Sequence, residues 1–151
     1  MRKYSCYIPV ILILISFCSL ILFRGSLTRY ASRIITNGME PEEKSIVENI
    51  ISEQYDYSKN TKRYKCTFLE FGSVGCNSCR QMESVMAEIK QKYSNRVKVV
   101  FINVSQKENR ELVDYFGIVT IPTQVLLDKK GKEYFRHNGY LSAEELSKYF
   151  R

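Results

Sequence analysis

Cys76 and Cys79, separated by Asn77-Ser78, are the residues of this chain whose type and spacing best suit chemistry. They lie where an apolar run, Cys66-Thr67-Phe68-Leu69-Glu70-Phe71, gives way through the loop residues Gly72-Ser73-Val74-Gly75 to a helical stripe. Cys79, Met82, Met86, Ile89 and Tyr93 make that stripe. A cysteine at a helix start faces unpaired backbone N–H groups and the positive end of the dipole, which favour an anion. The placement predicts a lowered thiol pKa at Cys76 and a larger share of the nucleophilic thiolate. Cys79, one turn further in, points toward the core and can close a disulfide onto Cys76. The chemistry is thiol–disulfide exchange. Cys76 attacks a substrate disulfide, and Cys79 then attacks Cys76 and releases the reduced substrate.

The competing reading of such a pair is half of a zinc site, but structural zinc usually takes a second Cys/His pair. Cys66 and His137 are the remaining candidates in the domain, and neither belongs to a paired motif. No metal is therefore expected. Cys66 reads as a small buried hydrophobe, and Cys6 and Cys18 as unpaired residues in or beside the apolar N-terminus. Met82 and Met86 read as core residues, and His137 as a surface strand residue. Glu70 has its own chemistry. On a strand it shares a face with Cys66 and Phe68. A carboxylate there is desolvated, its pKa rises, and it can take the Cys79 proton in the resolving step. The alternative is a side chain that turns to solvent at the strand end.

The elements that must position these residues follow from periodicity. Pro41, with Glu42 and Glu43 behind it, opens a helix carrying Ile46, Val47, Ile50, Ile51 and Tyr55. Asn60 to Lys65 is a basic connector, and Cys66–Phe71 a buried strand. Val97–Val104 is β-branched and reads as a second buried strand. Gln106–Phe116 reads as a helix with Leu112, Val113 and Phe116 on its apolar face and Gly117 as its stop. Thr123–Leu127 is a third strand. Asp128-Lys129-Lys130-Gly131 turns it back into Glu133–Arg136 as a hairpin. Ser142 and Glu145 form a capping box for a last helix bearing Leu146, Tyr149 and Phe150. The order predicts an α/β class: a mixed central sheet flanked by helices, with an extra leading helix.

Length and charge set the boundaries. The chain has 151 residues and a net charge of +7, with no Trp and three Pro. Residues 1–33 hold Arg2, Lys3, Arg24, Arg29 and Arg33 and no acid, so of 23 basic side chains 18 remain to face 16 acidic ones. The excess charge belongs to the N-terminal segment, and no basic face with interleaved aromatics points to nucleic acid. Tyr7–Phe23 carries no charge. At about 1.5 Å per residue a helix over it measures about 25 Å, near the lower limit for a membrane span. The residues after Phe23 offer no small-x-small cleavage site, and Phe17 before Cys18 argues against a lipoprotein signal. The expected organisation is an uncleaved signal-anchor at 1–23, a polar linker at 24–39 and a folded domain at 40–151. Basic residues flank the run on both sides, so charge does not set its orientation.

From about residue 60 to 150 the chain resembles the thioredoxin family. The resemblance rests on Cys76-Asn77-Ser78-Cys79 after the strand, on Ile121-Pro122-Thr123 before the next one, on Gly117-Ile118 ahead of it, and on Gly139 after the hairpin. It implies a thioredoxin fold in which Pro122 is cis and lies against the cysteine pair. The Ile121 backbone is then free to pair with an extended substrate segment. Glu70, six residues before Cys76, matches the family's buried acid. The lysine that the family places near this acid is replaced by Phe101, and Gly72 and Gly75 replace the aromatic residues before the pair. A less apolar, more pliable surface around Cys76 is expected.

The resulting expectation is a thiol–disulfide oxidoreductase with no cofactor, acting on protein disulfides. It is expected to be a monomer in the cytoplasmic membrane, single-pass, with its domain outside. The chain is similar to extracytoplasmic thioredoxin-like proteins of the TlpA type that take electrons from a membrane thiol transporter of the CcdA or DsbD type, which implies a reductant. A disulfide-introducing oxidase of the same fold and a non-catalytic metal- or peptide-binding module are the alternatives. Asn77-Ser78 does not decide between reductant and oxidant.

Overall fold

β-Branched and aromatic residues decide where the sheet runs. In the computed structural model, which describes residues 8–59 and 64–150, it has four strands in the order β2-β1-β3-β4. These are β1 (Cys66–Gly72), β2 (Val97–Asn103), β3 (Thr123–Asp128) and β4 (Glu133–Asn138). β1 pairs with β2 in parallel, from Cys66 opposite Val97 to Gly72 opposite Asn103. It pairs antiparallel with β3, from Cys66 opposite Asp128 to Phe71 opposite Thr123. The β3–β4 hairpin turns at Gly131, whose φ of 78° suits a residue without a Cβ. The Asp128 carboxylate holds this turn by accepting from the Lys130 and Lys132 backbone N–H groups at 2.8 and 3.0 Å.

Alternation along the central strands builds two cores. Cys66 and Phe68 of β1 and Leu126 of β3 face one side. There they pack against Met82, Val85, Met86 and Ile89 of α3 (Asn77–Lys92) and Leu146 of α5 (Ala143–Ser147). Leu69, Phe71, Val125 and Leu127 face the other. They meet Val47, Ile51 and Tyr55 of α2 (Pro41–Tyr55) and Phe116, which follows α4 (Arg110–Tyr115). Every residue of β1 is buried. The predicted mixed sheet with helices on both faces is the observed architecture. The predicted capping box is present too: Ser142 Oγ accepts from Glu145 N at 3.2 Å, and the Glu145 carboxylate accepts from Ser142 N.

Four readings of the sequence need correction. β2 is an edge strand rather than a buried one, with Phe101 41% exposed. Its β-branched residues serve a single strand partner and a half-covered face. The helix expected over Gln106–Phe116 is a 3-10 turn at Lys107–Asn109 followed by the short α4. The Asn109 side-chain amide donates to Asn103 O at 2.9 Å and to Gln106 Oε1 at 3.2 Å. Such local side-chain bonds compete with helical ones. The last helix is a single short one, so Tyr149 and Phe150 follow it rather than ride on it. Finally, the segment read as a linker at 24–39 is helical to Asn37, as part of α1 (Ile8–Asn37).

The polar residues of α1 have partners on the domain. Ser32 Oγ donates to Gly117 O at 2.6 Å and accepts from Arg136 Nη1 at 3.2 Å. Thr36 Oγ1 lies 3.1 Å from Tyr115 O. These hydroxyls meet carbonyls at the end of α4 that its own helix cannot satisfy. Gly117, at φ 54°, packs so closely on Ser32 that a Cβ would collide with the Ser32 backbone. Among the described residues no helix is long and apolar enough to cross a membrane. The anchor read at 1–23 lies partly outside the described residues, since positions 1–7 and the side chains of 8 and 20–25 are not among them, and the part that is described, the start of α1, does not by itself support a span.

Candidate functional site

β1 ends at Gly72, and three loop residues later Cys76 caps α3 from an extended conformation (φ −90°, ψ 118°). Cys76 and Cys79 are joined by a disulfide, with their Cα atoms 5.2 Å apart. Cys76 Sγ accepts from the Cys79 backbone N–H at 3.2 Å and lies 3.3 Å from Ser78 Oγ. The first turn of the helix thus supplies a donor aimed at this sulfur, as an N-cap does for an oxygen. Cys76 is half-buried, and Cys79 is 4% exposed. The outer sulfur can be reached by a partner, and the inner one only by Cys76.

Gly72 explains how the inner cysteine fits. A Cβ at this position would stand 3.3 Å from Cys79 Cβ, 3.4 Å from its Sγ and 3.0 Å from Phe101 Cε2. Cys79 and the Phe101 ring occupy the space above the strand end. The sequence marks Gly72 as a loop residue standing where the resembled family has an aromatic one, but nothing local shows that Cys79 and Phe101 fill the space above it, so this role was not legible. Gly75 has nothing within 4 Å of where its Cβ would be, so close packing does not explain that glycine. Val74, between the two, is 79% exposed beside the pair.

Glu70 sits on the same face of β1 as Gly72, one strand repeat of about 6.7 Å away, and therefore beneath Cys79. It is wholly buried, so the alternative in which it turns to solvent does not hold. Burial pushes its carboxyl up to about 8, partly offset by hydrogen bonds from Gln124. Gln124 Nε2 donates to Oε2 at 3.2 Å and to Oε1 at 3.4 Å. The register puts Phe101 of β2 and Gln124 of β3 on either side of Glu70. Sequence reasoning passed over Gln124. The available signal was a polar side chain inside the apolar strand Thr123-Gln124-Val125-Leu126-Leu127, but its partner depends on a register that only the fold supplies.

The Ile121–Pro122 peptide bond is cis. Pro122 is buried and its carbonyl accepts from Gly139 N at 2.7 Å. Thr123 Oγ1 lies 2.6 Å from Thr120 O and 2.8 Å from Asn138 Oδ1, which ties the loop to β4. Because Thr123 pairs with Phe71, this loop opens β3 at the sheet end where β1 delivers the cysteines. Cys66 is buried at the opposite end of β1, and burial raises its thiol pKa. His137 lies on β4 with Nε2 3.2 Å from Tyr140 O. Among the described residues no group of three or more His, Cys, Asp or Glu could hold a metal ion.

A disulfide at a strand-to-helix junction beside a cis-proline loop places this molecule among proteins of the thioredoxin fold. The structure aligns over 70% of its length with 86% of mitochondrial thioredoxin 3 from Saccharomyces cerevisiae in its oxidised form, at a TM-score of 0.53 and 22% identity. It aligns over 58% of its length with 84% of the pneumococcal exposed lipoprotein thioredoxin Etrx1 from Streptococcus pneumoniae, at 0.52 and 16%. At these identities the likeness is one of fold. A profile of the thioredoxin-like domain matches residues 51–151, and the chain belongs to that family. It is 34% identical to a thioredoxin of Alicyclobacillus acidocaldarius over 82 residues, covering 54% of this chain and 75% of that protein. It is 32% identical over 77 residues to the chloroplastic thioredoxin-like protein HCF164 of Oryza sativa, covering 51% of this chain and 29% of that one. The match to HCF164 of Arabidopsis thaliana is 28% over 87 residues, covering 58% and 33%. The chain spans a third or less of the length of these two chloroplast relatives.

Proposed function

We propose that this protein is a thiol–disulfide oxidoreductase that reduces protein disulfides outside the cytoplasm through Cys76 and Cys79. The observation that carries the reading is the Cys76–Cys79 disulfide at the start of α3, with the outer sulfur accessible and the inner one covered. In the reduced protein the Cys76 thiolate attacks one sulfur of a substrate disulfide. A Cys76–substrate bond forms, and the other substrate sulfur leaves as a thiolate. Cys79 then gives up its proton and attacks Cys76 sulfur. The intramolecular disulfide forms, the mixed disulfide breaks, and the second substrate thiolate leaves. Two electrons pass from the protein to the substrate, and two protons complete the substrate thiols. Glu70 takes the Cys79 proton. The Ile121 backbone, ahead of Pro122, pairs with the substrate segment as an added strand would.

The same reading makes the N-terminus a membrane anchor. α1 exposes Val10 to Ile15 and Phe17 on its surface, and the uncharged run from Tyr7 to Phe23 continues that apolar character. A bilayer would cover these side chains and hold the domain on the outer side of the cytoplasmic membrane. Cytosolic thioredoxin cannot reach there, so electrons would come from a membrane dithiol carrier of the CcdA or DsbD type. Insulin reduction with dithiothreitol tests the activity: the wild type should turn over and Cys76→Ser should not. The Cys76–Cys79 potential tests the direction. A value near that of thioredoxin, about −270 mV, is expected, and one near that of DsbA, about −120 mV, would make the protein an oxidant.

A further inference from the structure

Gln124 is as buried as Glu70, and it stands opposite that residue in the β1–β3 register. Its Nε2 serves the carboxyl group, while its Oε1 is buried without a hydrogen-bond partner. An amide in an apolar sheet with one end orphaned is expensive, and a leucine would fill the space without that cost. What a leucine cannot do is answer the carboxyl group. Ionised Glu70 only accepts hydrogen bonds and needs the N–H of the amide. Protonated Glu70 becomes a donor and needs the amide oxygen. A half-turn about the soft terminal torsion of glutamine exchanges its two ends in place.

The surroundings leave this task to Gln124. Phe101 flanks Glu70 on the β2 side. Among the described residues the titratable groups on this face of the sheet are Cys79 from α3 and Tyr93 at its end, Cys66 further along β1, Asp128 at the far end of β3, Tyr134 and His137 on β4, and Tyr149 after α5. His137 stands opposite Gln124 in the β3–β4 register and engages Tyr140 O. α3 turns Arg80, Glu83 and Glu88 outward, and α5 does the same with Glu144 and Glu145. No lysine or arginine enters from either helix.

We propose that Gln124 is a positioning residue of the resolving step, holding the Glu70 carboxyl beneath Cys79 and serving both its protonation states by exchanging the ends of its amide. The proposal rests on the reading of Glu70 as the base for Cys79. In that step the proton moves from Cys79 sulfur to Glu70, leaving a thiolate that bonds to Cys76 sulfur as the Cys76–substrate bond breaks. Its electron pair leaves with the substrate sulfur, which solvent protonates. Glu70 keeps its proton until the cysteine pair is next reduced, and then returns it to Cys79. The amide donates before the transfer and accepts after it.

Two measurements on the full chain in detergent micelles test this. In the wild type, with labelled glutamine and glutamate side chains, the Gln124 amide resonances should move with pH at the same midpoint as the Glu70 carboxyl carbon. A Gln124 amide that stays fixed through the Glu70 titration would overturn the proposal. In Gln124→Met, the Glu70 midpoint should rise by about one pH unit, because the ionised carboxylate loses a stronger, charge-assisted bond than the protonated acid does. Resolution of a Cys76 mixed disulfide at pH 7 should then slow about tenfold, since one unit is a tenfold loss of the basic form. Gln124→Asn, which keeps an amide, should recover part of that loss. If Glu70→Gln leaves the pH profile of resolution unchanged, the base reading itself fails. If Glu70→Gln alters the profile and Gln124→Met does not, only the role of Gln124 fails.

Discussion

Glu70 makes the stability of this protein depend on pH in an unusual direction, and Glu70→Gln isolates the effect. The unfolded carboxyl titrates near its ordinary value of 4.5, and the folded one near about 8. Between these values the folded chain binds the proton more tightly than the unfolded chain, so stability falls as pH rises. The contribution is whole below the unfolded value, declines through the interval, and is spent above about 8, where both states are ionised. Each pH unit corresponds to about 1.4 kcal/mol, so an interval of about 3.5 units amounts to at most about 5 kcal/mol. The site relaxes and admits water around an ionised carboxylate, so about 2–5 kcal/mol is expected. Glutamine keeps the shape and has no charge to desolvate. The assay is guanidinium unfolding of the oxidised full-length chain in mild detergent, from pH 4.5 to pH 9, for wild type and variant. The difference between the two should grow in favour of Glu70→Gln as pH rises. Groups that titrate alike in both proteins cancel. Tyr57, pushed up to about 12 by burial, acts only above this range. Two parallel curves would refute the reasoning, because a carboxyl that ionises freely in the fold has no such penalty.

Cys79→Ser should leave Cys76 able to attack but unable to be released, so the mixed disulfide with substrate should accumulate and be visible on non-reducing gels. Gly117→Ala should lower the melting temperature. The left-handed φ of 54° costs an L residue about 1 kcal/mol or more, and the added Cβ pushes Ser32 away from Gly117 O. The same variant should make α1 more susceptible to limited proteolysis near residues 26–37. Ser142→Ala removes the capping box and should cost about 1 kcal/mol in a denaturation curve, without changing insulin reduction.

The sequence by itself determined which residues could carry the chemistry and roughly which elements hold them. Cys76 and Cys79 were legible because a CxxC motif, an apolar run before it and a helical stripe after it are local patterns, set by side-chain periodicity within one element. The same holds for the Ser142 capping box and for the strands that build the sheet. What only the tertiary structure decided depends on pairings between distant segments. The partner of Glu70 follows from the register that sets Gln124 against it across β1 and β3. The edge position of β2 follows from strand order, which no single strand encodes. Residues 24–39 read as a polar linker, but Ser32 and Thr36 answer carbonyls at the end of α4, a need that arises only once both helices are in place. Local free energy is written in neighbouring side chains, whereas burial, desolvation and hydrogen-bond satisfaction depend on which distant groups the fold brings together.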